Sequence, residues 1–151
     1  MTEIKMERIN RSVSVYCYKE KEEVEEFKDN YGKTVCKEWR KEGKLHRDGD
    51  LPAVEYIRGS KQWWKNGIPH RDGDLPAIIY ANGRKEWWKH GKRHRDGDLP
   101  AIEDSKGKYW FKEGKRHRDN GPAIEYADGE KVWIANDVLI KRIDGLRECM
   151  V

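Results

Sequence analysis

Four histidines, each followed by Arg and Asp, are the residues of this chain whose types could do chemistry: His46-Arg47-Asp48, His70-Arg71-Asp72, His94-Arg95-Asp96 and His117-Arg118-Asp119. An imidazole beside a carboxylate suits general acid–base work, and the same pair can ligate a metal. The spacing argues against both. An active site is one asymmetric constellation of nucleophile, base and stabiliser, whereas this triplet recurs at intervals of 24, 24 and 23 residues. Equivalent positions two strands apart stand about 10 Å from each other, while two ligands of one Zn²⁺ come within about 4 Å. Within one unit His, Asp and Asp supply only three ligands, and Asp48 and Asp50 lack the further oxygens that Ca²⁺ takes. His90 and His94 are four apart but straddle Gly91 in a connection. No phosphate loop, nucleophile elbow or zinc signature occurs. The triplets therefore read as structural, with no catalytic residue, metal or cofactor. Asp48, Asp72, Asp96 and Asp119 are expected to accept turn N–H groups, and each arginine to pair with a carboxylate or stack on a tryptophan.

The elements that position these residues follow from the repeat. His-Arg-Asp-Gly-Asp-Leu-Pro-Ala runs from His46 to Ala53, His70 to Ala77 and His94 to Ala101, with a shorter His117 to Ala123 copy. Trp39, Trp63, Trp87, Trp110 and Trp133 keep the same beat, beside a second column of Arg40, Trp64, Trp88, Phe111 and Ile134. Such self-similarity marks a tandem array of units of about 24 residues. Each unit reads as a β-hairpin, because Asn82-Gly83 between apolar runs suits a two-residue type I′ turn. Arg58-Gly59, Lys106-Gly107 and Asp128-Gly129 hold the same place. A two-residue loop pairs Ile78 with Trp87, Tyr80 with Lys85, and Val54 with Trp63. Side chains alternate along a strand, which puts Trp63 and Trp87 on the fuller apolar face, buried. Trp64 and Trp88 fall on the other face, more exposed. Gly107 to Trp110 is one residue shorter than Gly83 to Trp87, which predicts a bulge or altered turn in the third unit.

Residues 1–30 fall outside the repeat and read as a small α/β cap. Ser12 to Tyr18 alternates like a strand, and Lys19 to Lys28 reads as a charged helix with Val24 and Phe27 facing inward. Residues 31–137 form the array, and residues 138–151 turn apolar as a C-terminal cap. The fold class is all-β: an elongated, single-layer antiparallel sheet of tandem hairpins.

Composition agrees with a thin fold. Charged residues make up 40% of the 151 and apolar ones 36%, too few for a thick core, while seven Trp and seven Tyr argue against disorder. No apolar run approaches the ~18 residues of a membrane helix. The charged N-terminus has no apolar stretch of a secretory signal. Cys17, Cys36 and Cys149, an odd set without CxxC spacing, read as free thiols of an intracellular protein.

Tandem hairpins with Gly-x-x-x-x-Trp strands resemble MORN-type repeats. The HRDGDLPA/HRDNGPA variant resembles a MORN-like family of large DNA viruses, with relatives in bacteria and phages, over roughly residues 31–145. The resemblance implies a repeat sheet of viral or phage type, in a particle or opposing a host factor. The inserted His-Arg-Asp segment departs from the plain MORN pattern.

Residues 1–30 carry six Lys/Arg against eight Asp/Glu, and residues 31–145 carry 25 against 19. The expected function is non-enzymatic binding or scaffolding of another protein, through Arg40, Trp64, Lys65, Trp88, Lys89, Phe111 and Lys112. The alternative is an anionic ligand, nucleic acid or nucleotide, held by stacking and phosphate contact. Self-association through sheet edges is a further expectation.

Overall fold

A computed structural model describes residues 13–18 and 22–145, with side chains from Glu23 onward. The chain opens with strands β1 (Val13–Tyr18), β2 (Glu22–Lys28), β3 (Thr34–Lys41) and β4 (Lys44–Leu45). The next repeat gives β5 (Val54–Tyr56), β6 (Lys61–Gln62), β7 (Trp64–Lys65) and β8 (Ile68–Pro69). Its successor gives β9 (Ile78–Ile79), β10 (Lys85–Glu86), β11 (Trp88–Lys89) and β12 (Lys92–Arg93). The third gives β13 (Ile102–Asp104), β14 (Gly107–Tyr109), β15 (Phe111–Lys112) and β16 (Lys115–Arg116). Strands β17 (Ile124–Tyr126), β18 (Lys131–Ala135) and β19 (Val138–Ile143) close it. Among the described residues there is no helix.

One antiparallel sheet of 13 strands runs the length of the array in the order β1-β2-β3-β5-β6-β9-β10-β13-β14-β17-β18-β19, with β4 on β3. Each repeat adds two strands to it. The chain then leaves at the tryptophan to form a separate two-stranded hairpin, β7–β8, β11–β12 or β15–β16. The all-β hairpin sheet expected from the repeat is the observed architecture. The second hairpin of each unit was not foreseen.

Three expectations are corrected. The run read as a helix over residues 19–28 is strand β2 from Glu22 onward; Lys19–Lys21 lie outside the described residues, as do residues 1–12 and 146–151, Cys149 among them. Pairing overrides helix propensity here. Val24 lies opposite Trp39 and Phe27 opposite Cys36, and Lys37 and Arg40 bind Glu26 and Glu25 at 2.8 and 3.4 Å. Asp29 closes the turn by accepting the N–H groups of Tyr31 and Lys33, each at 3.0 Å.

The second correction concerns register. Ile78 pairs with Glu86, Ile79 with Lys85, and Val54 with Gln62, one residue away from the expected pairs. Tyr80 N–H donates to the Arg84 carbonyl and Gly83 N–H to the Tyr80 carbonyl, so the loop is Ala81-Asn82-Gly83, three residues long. Only Gly83 needs positive φ there, at 87°. Three-residue loops of this kind are the next commonest hairpin connection. The third unit carries the altered turn its length predicts: Asp104 pairs with Gly107 across a two-residue loop, and Asp104 Oδ1 accepts from Lys106 and Gly107 N–H at 2.9 and 3.1 Å.

The third correction follows from the slip. Trp63 shares its face with Ala53 and Ala77 rather than with Val54 and Ile78, and its N–H donates to the Ala77 carbonyl at 2.7 Å. It is buried all the same, 7% exposed, as is Trp87 at 6%, against alanines of zero exposure. Trp64 and Trp88 are half-buried.

Candidate functional site

The His-Arg-Asp segments form a periodic structure along one side of the array. The short hairpins turn at Glu42-Gly43, Asn66-Gly67, His90-Gly91 and Glu113-Gly114, and the last hairpin at Asn136-Asp137; both residues of each pair have positive φ. These, not the Asn-Gly loops of the long sheet, are the two-residue type I′ turns. Each of the last four turns docks on the preceding unit through two N–H groups. Asn66 N–H donates to His46 Nδ1 at 3.1 Å and Gly67 N–H to the Leu45 carbonyl at 2.8 Å. His90 on His70, Glu113 on His94 and Asn136 on His117 repeat the contact at 3.2, 3.1 and 3.3 Å.

The other ring nitrogen faces the aspartate two residues on. His46–Asp48, His70–Asp72, His94–Asp96 and His117–Asp119 lie at 2.8, 2.9, 2.9 and 2.7 Å through Nε2. Because Nδ1 accepts a backbone N–H, Nε2 is the protonated nitrogen and donates to the carboxylate. A lysine approaches the same carboxylate: Lys41–Asp48 at 3.2 Å, Lys65–Asp72 at 3.7 Å, Lys89–Asp96 and Lys112–Asp119 at 2.9 Å. The imidazole hydrogen bond is the chief reason that Asp48, Asp72 and Asp119 titrate below the usual aspartate range; for Asp96 the lysine leads. Among the described residues the partners of Asp72, Asp96 and Asp119 are thus side chains, not the turn N–H groups expected.

The arginines do both things expected of them. Arg71 lies flat over Trp63 at 3.8 Å and reaches back to Asp50 of the preceding unit with two bonds of 2.7 and 2.9 Å. Arg95 over Trp87 binds Asp74 in the same way, and Arg118 over Trp110 reaches both oxygens of Asp98 through Nε alone, each at 3.1 Å. Arg47 covers Trp39 at 3.8 Å. The Trp63, Trp87 and Trp110 indole N–H groups donate to the carbonyls of Asp50, Asp74 and Asp98 at 3.1, 3.0 and 2.9 Å. Thus His, Arg, Asp and the first Trp column bind each unit to its neighbour.

Between successive segments lie three equivalent open clefts of about 370, 220 and 190 Å³. The first is walled by His46 to Leu51, Trp63 to Lys65 and His70 to Gly73. Leu51, Leu75 and Leu99 stand exposed by 48, 42 and 41% at one position of each loop. Sequence reading missed them, although an apolar residue recurring inside Gly-Asp-Leu-Pro was the signal. No three His, Cys, Asp or Glu side chains of the described residues group as metal ligands.

No protein-family model matches this chain, and a comparison with curated proteins finds no match.

The residues expected to bind a partner are only partly brought together. Lys65, Lys89 and Lys112 line the clefts, and Trp64 and Trp88 stand beside them. Their indole N–H groups are already used, donating to Gln62 and Glu86, each at 3.0 Å. Phe111 is 9% exposed and packs with Trp87, Ala101 and Ile102, so it is a core residue. Arg40 is held by Glu25, Glu38 and the Gly43 carbonyl. Glu86, absent from the expected set, is 1% exposed and takes Arg84 and Arg93 at 2.8 and 3.3 Å as well as Trp88. A buried carboxylate with three donors is a structural knot.

Proposed function

We propose that this chain is a non-enzymatic repeat-sheet protein that binds or scaffolds another protein along its row of His-Arg-Asp clefts. The observation that supports this is the recurrence of one exposed leucine and one half-buried tryptophan beside each of the first two clefts, in walls whose charges are paired internally. Periodic apolar anchors in a rigid frame suit a protein surface. The polar groups of the triplets are engaged in joining unit to unit, which leaves a structural role for them. A viral or phage setting, in a particle or against a host factor, belongs to this proposal through the resemblance to MORN-like repeats. The anionic-ligand reading has weaker support here, because Lys89 and Lys112 each already hold a carboxylate at 2.9 Å.

The test is an affinity pull-down from host lysate, with nucleic acid intact, using the wild type and a Leu51→Ser/Leu75→Ser/Leu99→Ser variant. A partner held by the wild type and lost by a variant of unchanged melting temperature supports the reading. Retention of the partner by the variant overturns it. Release that follows salt steeply and depends on nucleic acid would favour the anionic ligand.

A further inference from the structure

The sheet face that carries Trp63 also carries a row of charges crossing the strands. Reading from strand to strand, Glu26 lies opposite Lys37, Lys37 opposite Glu55, and Glu55 opposite Lys61. Farther along, Lys85 lies opposite Glu103, Glu103 opposite Lys108, Lys108 opposite Glu125, and Glu125 opposite Lys131. Opposite charges facing each other across strands stabilise a sheet. The alternation fails once. Ile79 stands between Lys61 and Lys85, where Glu55, Glu103 and Glu125 stand in the other units.

Those glutamates have a second partner that Ile79 cannot replace. Arg47, Arg95 and Arg118 reach them at 3.3, 3.1 and 2.9 Å. Among the described residues Arg71 hydrogen-bonds only Asp50 and the Pro76 carbonyl. Lys61 and Lys85 are exposed, Ile79 is half-buried, and neither lysine makes an ion pair among the described residues. The face therefore offers two ammonium groups around an apolar spot, with a guanidinium at its margin, at the one place in the row where no carboxylate stands between successive lysines.

We infer that this gap is the docking point for an acidic segment of a partner protein, whose carboxylates complete the row at Ile79. The inference rests on the reading that the chain binds another protein, and adds a second face and a partner chemistry. Glutamates two apart in an extended peptide stand about 6.8 Å from each other on one side. The two lysine Cα atoms lie two strands, about 9.6 Å, apart, so flexible side chains can close the difference. Elsewhere in the row a glutamate separates each lysine from the next, so the stretch free of carboxylates is short, and a long polyanion meets like charge on either side of it.

The test is fluorescence anisotropy of a labelled heptapeptide of alternating Glu and Gly, with the full-length protein at low salt. Wild type should bind, and Ile79→Glu should weaken binding by about tenfold while holding or raising the melting temperature. Glutamate is the residue that three sister units accommodate here, and Ile79→Gln serves as the neutral control with an intermediate loss. Glu125→Ile, flanked by Lys108 and Lys131, should open a second site with its own lysine pair and raise the stoichiometry from one toward two. No binding by the wild type, or binding indifferent to Ile79→Glu, overturns the inference. Tighter binding of a dT oligonucleotide with the same sensitivity to Ile79→Glu overturns it in favour of nucleic acid. Loss of the pulled-down partner on substituting the three leucines, with peptide binding absent, would sink this inference alone. Peptide binding with no effect of the leucines would sink the cleft reading instead.

Discussion

Arg71 does three jobs with one planar group: it covers Trp63, clamps Asp50 and donates to the Pro76 carbonyl at 3.2 Å. A lysine cannot do this, because an ammonium lacks the flat fork. Arg71→Lys should therefore lose most of what Arg71→Ala loses, about 2–3 kcal/mol in urea melts. A cost below about 0.5 kcal/mol would show that the stack contributes little. The acid limb belongs to the same residues. Hydrogen bonds from Arg71 and Arg95 hold Asp50 and Asp74 below the ordinary aspartate range. A lowered folded-state value means that their stabilisation is fully present above the unfolded value of ~3.9 and fades as pH falls through the folded one. Asp50→Asn/Asp74→Asn should flatten the fall in stability between about pH 4 and pH 2; an unchanged slope would dissociate these pairs from acid unfolding. Cys36, 7% exposed, has its thiol pushed up to about 11 by burial, with Glu38 adding to it. It should resist alkylation at neutral pH until the chain unfolds, as a mass shift would report.

The hairpins show what local sequence can and cannot decide. Asn82-Gly83 announces a turn, and a turn is there, but the dipeptide does not say whether the loop holds two residues or three, and one residue moved every Trp63-type side chain to the other face. Asn66-Gly67 carries the same signal and does form the two-residue turn, but one hairpin per repeat leaves no place for a second. Trp63 is buried as expected, but not through the expected pairing with Val54: Ala53 and Ala77 flank it on its own face and Arg71 of the next His-Arg-Asp segment covers it. Gly107 states the difference between turn types most sharply. Its φ is 155°, and a Cβ there would sit 2.3 Å from the Glu125 carbonyl oxygen, whereas a Cβ at Gly83 (φ 87°) meets nothing within 4 Å. Gly107→Ala should cost several kcal/mol and part β14 from β17, and Gly83→Ala only about 1 kcal/mol. Equal costs in paired thermal melts would refute the close approach.

At the scale of the molecule, repetition was the easiest property to read and the surfaces were the hardest. Charges in a row such as Lys37, Glu55 and Lys61 come from separate strands, so no window of sequence shows them together. Because each unit touches mainly its neighbours, removing residues 71–94 should leave a folded, shorter array with the same circular dichroism shape and a lower melting temperature; collapse to a random-coil spectrum would mean that the units are not interchangeable. The docking of each turn on the histidine before it also has a direction. A chain emerging from the ribosome makes His46 before Asn66, and His70 before His90, so every new hairpin meets an acceptor that is already in place. Each added unit supplies the donor for the imidazole before it and presents a fresh imidazole to the unit after it. Ile140, standing where the next histidine would be and 67% exposed, offers no ring nitrogen for a further turn to dock on.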